Sequence, residues 1–123
     1  MKKLLGIGGS DDSLKALEHT LSRAAETGDE LVVAVVENPD SAHDAVEVAE
    51  HVRQKIEEHG EVDAEVVRLE GHPGSALVEY AESEGFDEIV LGGGETSAMG
   101  KIQMGHIAEF VLLNSHVNVK LVR

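Results

Sequence analysis

Apolar residues recur along this chain in short runs of strand length, separated by longer stretches in which they return every three or four positions. The first run is Leu4, Leu5 and Ile7, interrupted by Gly6 and closed by Gly8-Gly9, with Ser10 in position to cap a helix. That helix is predicted to turn Leu14, Leu17, Leu21, Ala24 and Ala25 inward and to stop at Gly28. Leu31 to Val36 is apolar at every position, as a parallel strand covered on both faces requires. After Asn38-Pro39-Asp40, Ser41 can cap a second helix with Ala45, Ala49, Val52 and Ile56 inward, ending near Gly60. Ala64, Val66 and Leu69 form a more polar strand, as expected at a sheet edge. His72-Pro73-Gly74-Ser75 starts a third helix with Ala76, Leu77, Tyr80 and Ala81, closed by Gly85. Glu88 to Leu91 is the fourth strand, Ile107, Val111 and Leu112 line the fourth helix, and Val117, Val119 and Leu121 alternate in a fifth strand.

Strands that alternate with helices over the whole length imply an α/β fold. Each right-handed crossover lays its helix on a sheet face, so the expectation is a three-layer sandwich: a five-stranded, mostly parallel, doubly wound sheet with four helices. No repeat, linker or low-complexity tract interrupts it, and residues 1–123 are expected to form one domain. Ligands on such sheets bind beyond the carboxyl ends of the strands, where strand order reverses. The glycines after the first and fourth strands sit at such ends.

Composition narrows the functional classes. Against 10 Lys and Arg stand 24 Asp and Glu, a formal charge of −14, which argues against a nucleic-acid or anionic-membrane surface. Any phosphate must be held locally. The absence of Cys excludes a disulfide scaffold, a thiolate metal site and a cysteine nucleophile. The apolar run after Met1-Lys2-Lys3 is too short for a signal peptide, and no stretch approaches the roughly 20 apolar residues of a membrane helix, so a cytoplasmic protein is expected.

The most informative stretch is Ile89 to Val117, where an apolar run ends in Gly92-Gly93-Gly94 and Gly105 opens an amphipathic helix. A strand that stops at glycines before a helix start can bring unpaired backbone N–H groups up to an anion. The stretch resembles the C-terminal half of the universal stress protein family, whose nucleotide-binding members carry G-x2-G-x9-G-[ST]. The resemblance extends from LLGIGGSDDSLKAL through GHPGSALVEYAE to VNVKLV. It implies strand order 3-2-1-4-5, a homodimer, and an adenine nucleotide such as ATP or AMP. Carried over position by position, it implies Val36 near the base, Gly92 near ribose and phosphates, and Gly105, His106 and Ile107 at the phosphate-facing helix start. Three positions depart from the family pattern: Gly8 replaces an Asp, Glu95 the middle glycine, and His106 the Ser or Thr. Gly8 removes a side-chain acceptor, and Glu95 sets a negative charge where phosphates approach, favouring AMP or adenosine over ATP. His106 still offers a donor to an oxyanion, and Lys101 in the same loop offers a cation.

Other constellations carry less. Gly94 to Lys101 has five residues between its glycines and Ile102 where a P-loop needs Ser or Thr. Asp11 and Asp12 resemble the acidic pair of receiver domains, but the third strand ends in Leu69-Glu70-Gly71 without a phosphorylatable Asp, and the pair suits the first turn of a helix. His43, Glu47 and His51 lie four apart on one helical face, which a solvated polar face explains as well as a metal; no metal is expected. No nucleophile and base are recognisable by spacing, so catalysis is not required. The expected function is that of a small stress-response or regulatory binding module, homodimeric through Val117, Val119 and Leu121 of the C-terminal strand and switched by an adenine nucleotide. Its rivals are a nucleotide-free dimer that acts through an unidentified protein partner and, with no residues to support it, a slow ATP hydrolase.

Overall fold

A computed structural model describes residues 1–9, 11–38, 43–60, 62–93, 95–96, 102–103 and 105–122, and no side chain is described at 11, 12, 95, 96, 102 or 103. In chain order the elements are β1 (Lys2–Ile7), α1 (Asp11–Thr27), β2 (Glu30–Val36), α2 (Ala45–His59), β3 (Ala64–Leu69), α3 (Pro73–Ser83), β4 (Glu88–Gly92), β5 (Glu95–Thr96), β6 (Ile102–Gln103), α4 (His106–Asn114) and β7 (Asn118–Val122). Five strands form one sheet in the order β3-β2-β1-β4-β7, the 3-2-1-4-5 arrangement once the short β5-β6 hairpin is set aside. Every pairing in this sheet is parallel. The reversal of strand order falls between β1 and β4, where their carboxyl ends diverge.

Side-chain alternation divides the core into two halves. Leu5, Ile7, Leu31, Val33, Val35 and Val90 face α1 and α2, whereas Leu4, Val32, Ala34, Val36, Ile89 and Leu91 face α3 and α4. This explains why β2 is apolar from Leu31 to Val36: each of its faces lies under a helix layer. The partial burial of β3 agrees with its position at one edge of the sheet.

The structure corrects several details of the sequence reading. On α1 the sheet-facing residues are Ser13, Ala16, Leu17, Thr20, Leu21 and Ala24, while Leu14 is only half-buried and Ala25 is exposed. The stripe is rotated because two small polar residues occupy positions against the sheet. Ser10 and Ser41, both read as caps, lie outside the described residues; α2 is capped by Asp44, whose Oδ1 accepts from Glu47 N at 2.9 Å. On α4, Ala108 and Val111 set the buried face, and Leu112, read as inward, is 46% exposed. The nine-residue α4 lies by the last strand in the sheet order, at the sheet's edge. Val117 precedes β7 instead of belonging to it. The β5-β6 hairpin was not foreseen: a pairing two residues long leaves no periodicity to read.

Polar groups pin the opposite end of the sheet. Asp29 lies 3.2 Å from Lys3 Nζ and 3.3 Å from the terminal ammonium, and it accepts from Thr27 Oγ1 at 2.8 Å. The Thr27 hydroxyl first, then Lys3 and the ammonium, hold its carboxyl below the ordinary value. In contrast, Thr20 Oγ1 is buried on α1 with no hydrogen-bond partner among the described residues. Thr20→Val removes that orphan hydroxyl at nearly constant volume and is expected to raise stability by about 1 kcal/mol, measured as a higher denaturation midpoint. A lower midpoint would show that the hydroxyl is satisfied.

Candidate functional site

Where β1 and β4 part, their ends and the start of α4 enclose a cleft of about 220 Å³ lined by Gly6, Gly8, Ser13, Val36, Asn38, Leu91, Gly92, Gly105, His106, Ile107 and Ala108. It lies at the carboxyl ends of β1, β2 and β4, at the point where the topology predicts a ligand.

The α4 end of the cleft presents the start of a helix. Gly105 caps α4 in extended conformation, and its backbone carbonyl accepts from Glu109 N at 3.0 Å, so the helix begins in regular geometry. A glycine cap has no side chain to accept from the first-turn N–H groups, and among the described residues no side-chain bond caps this helix. These donors and the positive end of the helix dipole therefore point at the cleft. His106, the first helical residue, is exposed beside them. No carboxylate is among the described lining residues.

Backbone packing keeps the floor narrow and bare. Gly93 N donates to Val122 O at 2.7 Å, tying the end of β4 to β7. A Cβ at Gly8 would lie 3.2 Å from Asn38 Nδ2 and 3.3 Å from Ile107 Cδ1, closer than ordinary van der Waals contact. Asn38 Nδ2 donates to Gly8 O at 3.3 Å, linking the loop after β2 to the end of β1.

Of the residues singled out from sequence, Gly8, Val36, Gly92, Gly105, His106 and Ile107 converge on this cleft. Lys101 lies outside the described residues, and Glu95 is described only as backbone in β5. Sequence reasoning missed Gly6, Ser13, Asn38, Leu91 and Ala108. Ser13 had a signal, a polar residue at helical spacing with Ala16 and Leu17. Asn38 had only its place two residues beyond a buried strand.

A separate depression of about 300 Å³ is lined by Gly9, Leu14, His43, Glu47, Val48 and His51. There His43 Nδ1 and Glu47 Oε2 are 3.3 Å apart, and no group of three metal-ligating side chains forms among the described residues. No helix among the described residues is long and apolar enough to cross a membrane.

The sequence model of the Universal stress protein family matches residues 1–123. Universal stress protein MJ0531 of Methanocaldococcus jannaschii is 28% identical over 99% of this chain and 81% of its own length. Among solved structures, the universal stress protein UspA from Lactobacillus plantarum superposes with a TM-score of 0.82 at 18% identity, covering 100% of this chain and 97% of that one. The universal stress protein from Archaeoglobus fulgidus in complex with dAMP superposes with a TM-score of 0.73 at 18% identity, covering 100% and 98%.

Proposed function

Because the chain belongs to the universal stress protein family, we propose that it is a small cytoplasmic regulatory module, homodimeric, whose state is set by an adenine nucleotide in the cleft at the start of α4. The observation that supports this reading above others is the glycine-capped helix whose first-turn N–H groups face a cleft lined by no described carboxylate. A relative of the same fold holds dAMP. Gly92 and Gly105 then approach the phosphate, His106 donates to it, and Val36 borders the base.

The net charge of −14 and Glu95 in the neighbouring loop favour a ligand with few phosphate charges, AMP over ATP. Calorimetric titration with ATP, AMP and adenosine tests this. His106→Ala is expected to weaken AMP about tenfold or more, the loss of one charge-assisted hydrogen bond, and to leave adenosine unaffected. Glu95→Gly is expected to strengthen ATP more than AMP. If no variant binds any of the three, the nucleotide-free dimer is the correct reading.

The dimer is proposed to form through β7, which pairs with β4 along one side only and is last in the sheet order. An edge strand meeting its own copy about a twofold axis satisfies the unpaired backbone groups of both. Val117, Val119 and Leu121 are half-buried on the α4 side of the sheet. Leu112 lies one turn on from Ala108, on the flank of α4 turned away from α3, and adds an exposed apolar surface there. Leu112→Glu introduces like charges in both copies and is expected to raise the dimer dissociation constant at least about tenfold without loss of helicity. Sedimentation at low concentration measures it; an unchanged dimer would exclude this edge.

A further inference from the structure

Cations are scarce in this chain, 10 Lys and Arg against 24 Asp and Glu, yet three of them gather beside one edge of the sheet. Lys15, His19 and Arg23 follow one another at four-residue spacing on α1, all exposed, and form a row along one flank of the helix. His19 fixes where that flank lies, because its Nε2 is 3.5 Å from Lys120 Nζ on β7. The opposite flank of α1 faces α2, where Glu18 pairs with Lys55 and His59 at 3.4 Å. Among the described residues Lys15, Arg23 and Lys120 form no ion pair with a carboxylate, whereas Lys3 pairs with Asp29 and Glu88, and Lys55 with Glu18 and Glu58. Gathered like charges repel one another, so a partner that neutralises them relieves what the free protein carries.

The row runs beside an open strand. Among the described strands β7 pairs with β4 alone and ends the sheet order. Its residues alternate: Asn118, Lys120 and Val122 belong to the α1 side, Val119 and Leu121 to the α4 side, where Leu112 is 46% exposed. A strand added beside β7 therefore sets every second side chain against the row on α1 and the others toward Leu112. Side chains on one face of a strand are about 6.8 Å apart, and a four-residue step along a helix rises about 6 Å. The two rows keep pace.

We propose that the β7 edge receives an extended acidic segment of a partner protein, with Asp or Glu at alternate positions facing Lys15, Arg23 and Lys120 and apolar residues between them facing Leu112. A second copy complements the α1 side of this edge less well, since a twofold axis normal to the sheet brings the Lys120 ammonium of both copies to the same side. Nucleic acid fits less well too, because neither α1 nor β7 carries a Phe, Tyr or Trp on which a base could stack. The net charge of −14 opposes an acidic partner only at range: with a Debye length of about 8 Å at 0.15 M salt, the cations in contact decide. The segment and a second copy compete for this one edge, and neither depends on a bound nucleotide.

The probe is a fluorescent octapeptide of alternating glutamate and valine, titrated by anisotropy against the full chain. It is expected to bind, to shift the backbone amide resonances of Val119 to Leu121, and to lose affinity at least about tenfold when its glutamates become glutamines. Arg23→Glu, at an exposed position, and Lys120→Glu are each expected to weaken it at least about threefold, with the thermal midpoint recorded for both. In sedimentation the peptide is expected to lower the fraction of dimer; a chain that is monomeric throughout and still binds the peptide would remove the dimer reading and leave this one standing. No binding by the wild type, unchanged affinity in both variants, or equal affinity for an isomer with its glutamates and valines in two blocks would overturn the proposal. Tighter binding of a thymidine octanucleotide would also overturn it, in favour of nucleic acid.

Discussion

Replacing Gly8 by valine is expected to weaken adenine nucleotide binding at least about 100-fold, roughly 2.7 kcal/mol, in a protein that remains folded. Gly8 is not among the residues with positive φ, so its backbone accepts an L side chain without strain. The obstacle is space. The first added carbon already lies 3.2 Å from Asn38 Nδ2 and 3.3 Å from Ile107 Cδ1, so the two methyl groups beyond it must enter the cleft. The cleft measures about 220 Å³, so the added methyl groups take up a sizeable part of it. Calorimetric titration with AMP, beside a thermal melt, measures both halves of the expectation. A folded variant that binds as well as wild type would mean that the ligand lies elsewhere.

The layered fold was legible because burial on both faces makes β2 and β4 apolar after their first residue, a pattern no surface helix of this length produces. What the sequence obscured depended on packing between elements. The phase of α1 was misread because Ser13 and Thr20, polar in composition, occupy sheet-facing positions where their small size matters more than their polarity. Leu112 was read as inward because a helix wheel does not reveal that α4 lies beside the last strand of the sheet. The glycines of the site were visible as a strand ending before a helix start. Asn38 was not: an asparagine beside a proline reads as a turn, and its contact with Gly8 joins residues 30 positions apart. Only the parallel register of β1 with β2, Ile7 opposite Val35, brings those two loops together.

The same kind of contact ties the cleft to a residue outside it. Gly74→Ala is expected to destabilise the protein by about 1–2 kcal/mol, although the substitution favours the helix in isolation. Gly74 occupies the first turn of α3, after Pro73, where alanine is intrinsically better by about 1 kcal/mol. Against this, a Cβ at Gly74 would lie 2.5 Å from Phe110 Cδ1, 2.7 Å from Cγ and 2.9 Å from Cβ. The ring can rotate, but Phe110 Cβ is fixed to the α4 backbone, so α4 itself must move. Overpacking of this kind costs about 1–3 kcal/mol and exceeds the propensity gain. The Phe110 ring also packs against His72, 4.8 Å between centroids, whose Nδ1 accepts from Ser75 N at 3.1 Å to cap α3. There is little room to yield. Since α4 carries Gly105, His106 and Ile107 at its start, its displacement is also expected to weaken nucleotide binding. A double-mutant cycle separates the two terms. With Phe110 present, Gly74→Ala lowers the denaturation midpoint; in a Phe110→Gly background, where Cβ goes as well as the ring, the clash is gone, helix propensity alone remains, and the same substitution raises it. A change of the same sign in both backgrounds would mean that α3 and α4 do not meet at Gly74 and Phe110.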